Sequence, residues 1–229
     1  MQAKSTASGR PARTLAPHHT SLGRQVFYRL VRLASRIGFV SLFDVRCIGR
    51  ENTLVEGGAL ILSTHQSHFD PMLIGATFNE RLNYLAKRSL FKNPVVRFVI
   101  SMLDAIELDR DRSGLAGLKE TLTRLKKGQK VLIFPEGTRT LDGRIAPIKP
   151  GFIAVARRSQ VRLIPVAITG AYDAMPRGTH RPSRFPIRVA VGKAIEFSEF
   201  SELSDEAMLA LVTQRLHECY AVAQASRHY

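Results

Sequence analysis

Ala59-Leu-Ile-Leu-Ser-Thr-His-Gln-Ser-His-Phe-Asp-Pro71 decides how the rest of the chain is read. It opens with an apolar run of strand length, passes through a polar loop and ends on a proline suited to the first turn of a helix. Pro71 disfavours the α conformation in the residue before it, which predicts Asp70 at the N-cap, Pro71 at N1 and a helix over 71–78. His65 then falls in the loop. Residues five apart on a regular helix point about 140° away from each other, so His65 and Asp70 can meet only if a turn folds one back on the other.

Outward from this segment the same alternation recurs. Apolar runs at 84–86, 105–108, 131–134, 163–168 and 187–191 read as further strands, and 94–103, 115–127 and 152–159 read as helices. The pattern predicts a single α/β domain with a mixed or largely parallel sheet flanked by helices. Ser204, followed by Asp205 and Glu206, starts a last helix whose stripe Leu209, Val212, Leu216 and Cys219 is expected to dock on that domain. No internal repeat is present. The one biased segment inside the domain, 176–186, holds Arg177, His180, Arg181 and Arg184 and reads as a basic loop near lipid or carrier.

The 229 residues carry 34 Lys and Arg against 19 Asp and Glu, a formal charge of +15 that favours anionic partners without choosing among lipid, nucleic acid and an acidic carrier. No acidic residue precedes Asp44. Residues 1–21 read as a flexible basic tail. Over 22–44 an amphipathic helix is expected, with Leu22, Val26, Phe27, Leu30, Leu33, Ala34, Ile37 and Val40 on one side and Arg24, Arg29, Arg32 and Arg36 on the other. Such a helix suits the surface of an anionic bilayer, and the alternative is an ordinary helix capping the core. Arginines interrupt every long apolar stretch, so neither a secretory signal nor a spanning segment is expected. Cys47 and Cys219 fit no metal-ligand or disulfide spacing, which points to a reducing compartment.

An aspartate on one imidazole nitrogen fixes the tautomer and stabilises the imidazolium formed when the other nitrogen takes a proton, which describes a general base for a hydroxyl. The bland alternative is an N-cap aspartate and a satisfied loop histidine. A second strand-to-turn segment, Val131-Leu-Ile-Phe-Pro-Glu-Gly-Thr-Arg139, adds Gly137 for tight backbone geometry and Thr138 and Arg139 as donors to an anion such as phosphate. No Gly-x-Ser-x-Gly elbow, Walker loop or dinucleotide fingerprint occurs, which disfavours an acyl-serine hydrolase.

Together the two segments resemble the 1-acylglycerol-3-phosphate acyltransferase family of glycerolipid acyltransferases. That family shares a His, four residues, Asp motif followed by Phe-Pro-Glu-Gly-Thr-Arg. The resemblance runs from about 46 to 195. It takes in Ala105-Ile-Glu-Leu-Asp-Arg110, Lys149-Pro-Gly151 and Leu163-Ile-Pro-Val166. Thr64 stands where the family usually has Asn, Asp104 and Glu107 replace a Gly and an aromatic, and Arg162 replaces a proline. The middle changes leave the acceptor open.

The resemblance implies a glycerol-3-phosphate acyltransferase-like fold, with His65 as base, Asp70 as its support, and Arg110, Gly137, Thr138 and Arg139 holding the acceptor's phosphate. Glu136 either braces the loop, contacts acceptor hydroxyls or pairs with a buried arginine. The implied reaction moves an acyl group from an acyl-CoA or acyl carrier protein thioester to lysophosphatidic acid, with no metal or bound cofactor. The chain would work at the cytoplasmic face of the membrane as a peripheral or monotopic protein. Acylation of another lyso-lipid, such as lyso-ornithine lipid, is the alternative within the enzyme class. A basic membrane- or nucleic-acid-binding module is the alternative outside it, although no base-stacking motif supports nucleic acid as a partner.

Overall fold

The computed structural model describes residues 22–87, 106–108, 115–179 and 181–228. The tail over 1–21, the helix expected over 94–103, and Asp104, Arg110 and His180 lie outside the described residues.

In chain order the elements are α1 (Leu22–Phe43), β1 (Arg46–Ile48), β2 (Ala59–Ser63), α2 (Asp70–Thr77), β3 (Leu82–Lys87), β4 (Ile106–Leu108), α3 (Leu115–Lys126), β5 (Lys130–Ile133), α4 (Gly151–Ser159), β6 (Arg162–Thr169), α5 (Ala171–Ala174), β7 (Arg188–Val191), α6 (Phe197–Phe200) and α7 (Asp205–Ala225). Seven strands form one sheet in the order β1-β7-β6-β2-β5-β3-β4. All neighbours are parallel except β6 and β7. The mixed, largely parallel α/β sheet expected from the alternation is therefore the observed one.

Central strands of such a sheet are covered on both faces, which is why β2 and β6 read as nearly unbroken apolar runs. Successive residues still point to opposite sides. Ile61, Ile164, Val166 and Ile168 pack with Phe39 and Phe43 of α1 and Leu73 and Ile74 of α2. On the other face Leu60, Leu62, Val131 and Leu163 pack with Leu125 of α3, Phe152 and Val155 of α4, and Met208, Val212 and Leu216 of α7. Ser204 caps α7 by accepting from the Ala207 N–H at 3.2 Å. The buried stripe of that helix is Met208, Val212, Leu216, Cys219 and Ala223, so it is Met208 that meets the sheet fully and Leu209 only in part.

The two faces expected of α1 are present, and the apolar one points away from the domain, which is not the arrangement of an ordinary helix capping the core. Val26, Phe27, Leu30, Leu33, Ile37, Val40 and Leu42 are exposed, with Leu30 at 60% and Ile37 at 59%. The helix instead meets the domain through Tyr28, Phe39 and Phe43, the last two clustered with Phe69. Two of the arginines on the opposite side bind the domain. Arg36 donates from Nη2 to the Asn79 Oδ1 at 3.1 Å and from Nε to the Ala76 carbonyl, and Arg32 donates to the Phe78 and Asn79 carbonyls. These cations sit on the carbonyls at the end of α2, where unpaired C=O groups and the helix dipole favour positive charge.

Candidate active site

Strands β2 and β5 are parallel neighbours, paired from Ala59 with Lys130 to Leu62 with Ile133. Their carboxyl ends open side by side, the position where open α/β sheets bind ligands. The loop after β2 brings His65 and the loop after β5 brings Phe134 to Arg139. This adjacency lays the two aromatic rings face to face, with the His65 and Phe134 centroids 3.9 Å apart and the planes 18° from parallel.

His65 Nδ1 lies 2.8 Å from Asp70 Oδ2. The same oxygen accepts the backbone N–H of Gln66 at 2.6 Å and of Ser67 at 2.8 Å. Asp70 is fully buried, while the imidazole keeps 19% of its surface open. The local placement differs from the expected cap. Phe69 occupies the N-cap position with helical dihedrals, and Asp70 is the first residue of α2 with Pro71 behind it. From there the carboxylate reaches back over the turn at 65–67 and binds N–H groups of that turn, not of the helix. Its negative charge and three donors hold the ring, as one carboxylate oxygen can where all partners are N–H groups.

Phe134, Pro135, Glu136 and Gly137 form a tight turn closed by the Gly137 N–H on the Phe134 carbonyl at 3.0 Å. Proline at the second position and glycine at the fourth suit such a turn. Gly137 has φ of 73°, a dihedral that calls for glycine, and its open side faces the Lys149 side chain, whose Nζ lies 3.1 Å from where a Cβ would stand.

Both carboxylate oxygens of Glu136, which is 2% exposed, are taken by backbone. Oε1 accepts the His65 N–H at 2.7 Å and Oε2 the Ala146 N–H at 2.8 Å. Among the three roles open to it from sequence, these bonds are those of a brace. Among the described residues no arginine pairs with it. Burial pushes the Glu136 carboxyl up to about 7, opposed by its two N–H donors and reinforced by the Asp70 charge. A further strut is the Thr140 N–H on the His65 carbonyl at 2.8 Å.

Thr138 is exposed beside the turn, and Arg139 extends from it with Nη1 buried and without a hydrogen-bond partner. Four of the site residues expected from sequence, Glu136, Gly137, Thr138 and Arg139, thus lie in the loop beside His65 and Asp70, with Lys149 against Gly137, while Arg110 lies outside the described residues. Sequence reasoning gave no role to Phe134 or Ser67. Phe134 had a usable signal, since it follows β5 directly and so lies opposite the residue that leaves β2. Ser67 had none: its hydroxyl donates to the Met175 carbonyl at 3.0 Å, a partner 108 residues away. Among the described residues no three His, Cys, Asp or Glu side chains converge as a metal site requires.

The Acyltransferase family model matches residues 44–169. The solved 1-acyl-sn-glycerophosphate (LPA) acyltransferase PlsC from Thermotoga maritima is similar in fold, with a TM-score of 0.75 and 26% identity, covering 86% of this chain and 79% of that one. A chloroplastic 1-acyl-sn-glycerol-3-phosphate acyltransferase of Arabidopsis thaliana is 29% identical over 188 residues, 80% of this chain and 52% of that protein. One from Brassica napus matches at 29% over 80% of this chain and 54% of that protein. A 1-acyl-sn-glycerol-3-phosphate acyltransferase of Bacillus subtilis is 27% identical over 76% of this chain and 85% of that protein. The chain spans about half the length of the two plant relatives. The family match begins where α1 ends and closes with β6, so it takes in both loops of the site, and the chain belongs to the acyltransferase family.

Proposed function

We propose that this chain transfers an acyl group from a thioester, acyl-CoA or acyl carrier protein, to the free hydroxyl of lysophosphatidic acid, giving phosphatidic acid. The observation that carries the reading is the 2.8 Å contact of buried Asp70 with His65 Nδ1, which leaves Nε2 as the nitrogen for a hydroxyl. The relatives named as 1-acyl-sn-glycerol-3-phosphate acyltransferases suggest the acceptor.

In this reaction Nε2 takes the proton as the acceptor oxygen attacks the thioester carbonyl. The tetrahedral intermediate expels the thiolate, so a C–O bond replaces the C–S bond, and the imidazolium returns its proton to the sulfur. Asp70 stabilises the imidazolium throughout. The Gly137-Thr138-Arg139 turn receives the acceptor's phosphate, and by resemblance Arg110 joins it. No metal or bound cofactor enters a step.

The acceptor reaches the site from the bilayer. Among the described residues no helix is long and apolar enough to cross a membrane. The exposed apolar face of α1 supports a peripheral or monotopic attachment, which we assign to the cytoplasmic leaflet. The anionic lipid surface is met by the remaining basic residues, Arg29 among them, while Arg32 and Arg36 are held by the protein.

Thiol release from acyl-CoA and from acyl carrier protein, with lysophosphatidate and lyso-ornithine lipid as acceptors, tests the proposal. Lysophosphatidate is expected to be the preferred acceptor and His65→Ala to abolish turnover. Full activity in His65→Ala removes the general base. Preference for lyso-ornithine lipid transfers the same chemistry to another acceptor.

A further inference from the structure

Three arginines from two parts of the chain meet at the end of α2 that lies away from His65. That eight-residue helix starts at Asp70 and, at ~1.5 Å per residue, ends about 12 Å away at Thr77, just before Asn79. Asn79 Oδ1 accepts from Arg36 Nη2 at 3.1 Å and from Arg50 Nη2 at 3.4 Å. The Asn79 carbonyl accepts from Arg32 Nη1, and the Phe78 carbonyl lies 3.4 Å from both Arg32 Nη1 and Arg36 Nη2. Arg32 and Arg36 come from α1, whereas Arg50 comes from the turn after β1.

Being held on these oxygens does not neutralise the three cations. Among the described residues none of them makes an ion pair. Glu80, next to Asn79, is bound to Lys130, and Glu51, next to Arg50, pairs with no cation among the described residues. The end of a helix supplies about half a negative charge, too little for three guanidiniums. The Arg36 guanidinium is pushed below its ordinary value first by burial and then by Arg50 and Arg32, as crowding without a counter-charge requires. Donors remain available as well, since among the described residues Arg32 bonds through Nη1 alone and Arg50 through Nη2 alone. Like charges so placed are unfavourable until an anion joins them, and a phosphate has several oxygens to offer to the forks.

The cluster borders the exposed apolar face of α1. Leu33 and Ile37, both more than half exposed, follow Arg32 and Arg36 in sequence and so lie about 100° around the helix from them. A helix lying in a bilayer interface buries its apolar side roughly 5–10 Å into the headgroup boundary, which brings cations on its flank to the level of the lipid phosphates. A free anion would use only the arginines, whereas a lipid uses the arginines and the apolar face together.

We propose that Arg32, Arg36 and Arg50 form a binding site for the phosphate of an anionic phospholipid, with Asn79 setting the spacing of the three guanidiniums. The forks take the phosphate oxygens while the acyl chains run beside Leu33 and Ile37. Phe39 and Phe43 dock the other part of α1 on Phe69, close to His65, so a headgroup held at Asn79 fixes the remote part of the helix against the bilayer. The site rests on the peripheral attachment of α1 proposed above and not on acyl transfer.

Sedimentation of the full chain with phosphatidylcholine vesicles, plain or containing phosphatidylglycerol, tests the site. Arg29→Gln removes an exposed cation of the same helix that, among the described residues, does not touch Asn79, and it is expected to weaken binding to the anionic vesicles by about fivefold. Arg50→Gln is expected to weaken it on the order of 30-fold, and Arg50→Lys by less, because lysine keeps the charge but not the fork. Asn79→Asp places a carboxylate among the three arginines, so it should raise the thermal midpoint and weaken anionic-vesicle binding at least as much as Arg50→Gln. Binding to plain vesicles depends on the apolar face and should change by less than about twofold in every variant. Losses in Arg50→Gln and Asn79→Asp no greater than in Arg29→Gln would show a diffuse field in place of a site, with the attachment intact. A wild type that sediments with neither vesicle overturns the attachment and the site together. If inorganic phosphate raises the thermal midpoint of wild type but not of Arg50→Gln, while the two vesicles bind alike, the cluster holds a free anion and the lipid assignment is wrong.

Discussion

Replacing Glu136 by Gln keeps the shape of the side chain and removes its charge, and the effect on stability should depend on pH. Burial raises the folded-state pKa from the ordinary 4.5 to about 7. Because the folded value lies above the unfolded one, stability linked to this group is intact below about 4.5 and is lost as pH rises through about 7. At ~1.4 kcal/mol for each tenfold, a rise of that size corresponds to about 3 kcal/mol. Glu136→Gln does not ionise, so between pH 5 and pH 8 it should gain about 3 kcal/mol on wild type. Urea unfolding followed by far-UV circular dichroism measures this, since the chain has no Trp to serve as a fluorescence probe. Function should move the other way. A carboxamide has one acceptor oxygen where the His65 and Ala146 N–H groups need two. Displacing the His65 loop slightly should lower kcat by roughly 10- to 100-fold and leave both KM values in place. Parallel stability curves for the two proteins from pH 5 to pH 8 would refute the buried acid, and a raised acceptor KM would refute the brace.

Asp70→Asn should retain the fold and lose on the order of 10³-fold in kcat, because three N–H donors keep an oxygen but the imidazolium loses its counter-charge; circular dichroism with single-turnover kinetics measures both. Changing Leu30, Leu33 and Ile37 together to Ser should weaken liposome sedimentation by about a hundredfold, taking ~1 kcal/mol for each half-exposed side chain. Unchanged sedimentation would show that this face does not meet lipid.

The parts of the fold legible in the sequence are those whose burial is complete. Ala59 to Ser63 is buried at all five positions, and so it reads as a strand from its apolar run alone. Arg46 to Ile48 at the sheet edge is exposed or half-buried throughout, and three residues of that character carry no pattern to detect. For α1, periodicity gives two faces but not which one meets the domain, since that depends on the carbonyls of Ala76, Phe78 and Asn79 in another element. The site follows the same division. The spacing of His65, Asp70 and Pro71 foretells a turn that brings the pair together, because His65 lies in the loop and Asp70 and Pro71 open the helix that follows it. The purpose of Glu136 is not recoverable this way, as its partner at His65 is 71 residues away and is a backbone N–H that every residue except proline possesses.

The stacking of His65 on Phe134 has a kinetic meaning. An exposed imidazole samples several side-chain orientations, and a base that must first find the right one loses part of each encounter to the search. Here Nδ1 is tied to a buried carboxylate and one face of the ring lies on an aromatic plane, so both torsions are settled by folding. In the proposed reaction, the barrier to proton abstraction would then contain little rotational entropy from the base. What would remain to be ordered is the incoming alcohol, and the proposed acceptor, lying in a two-dimensional bilayer, would have less freedom to lose than one arriving from bulk water.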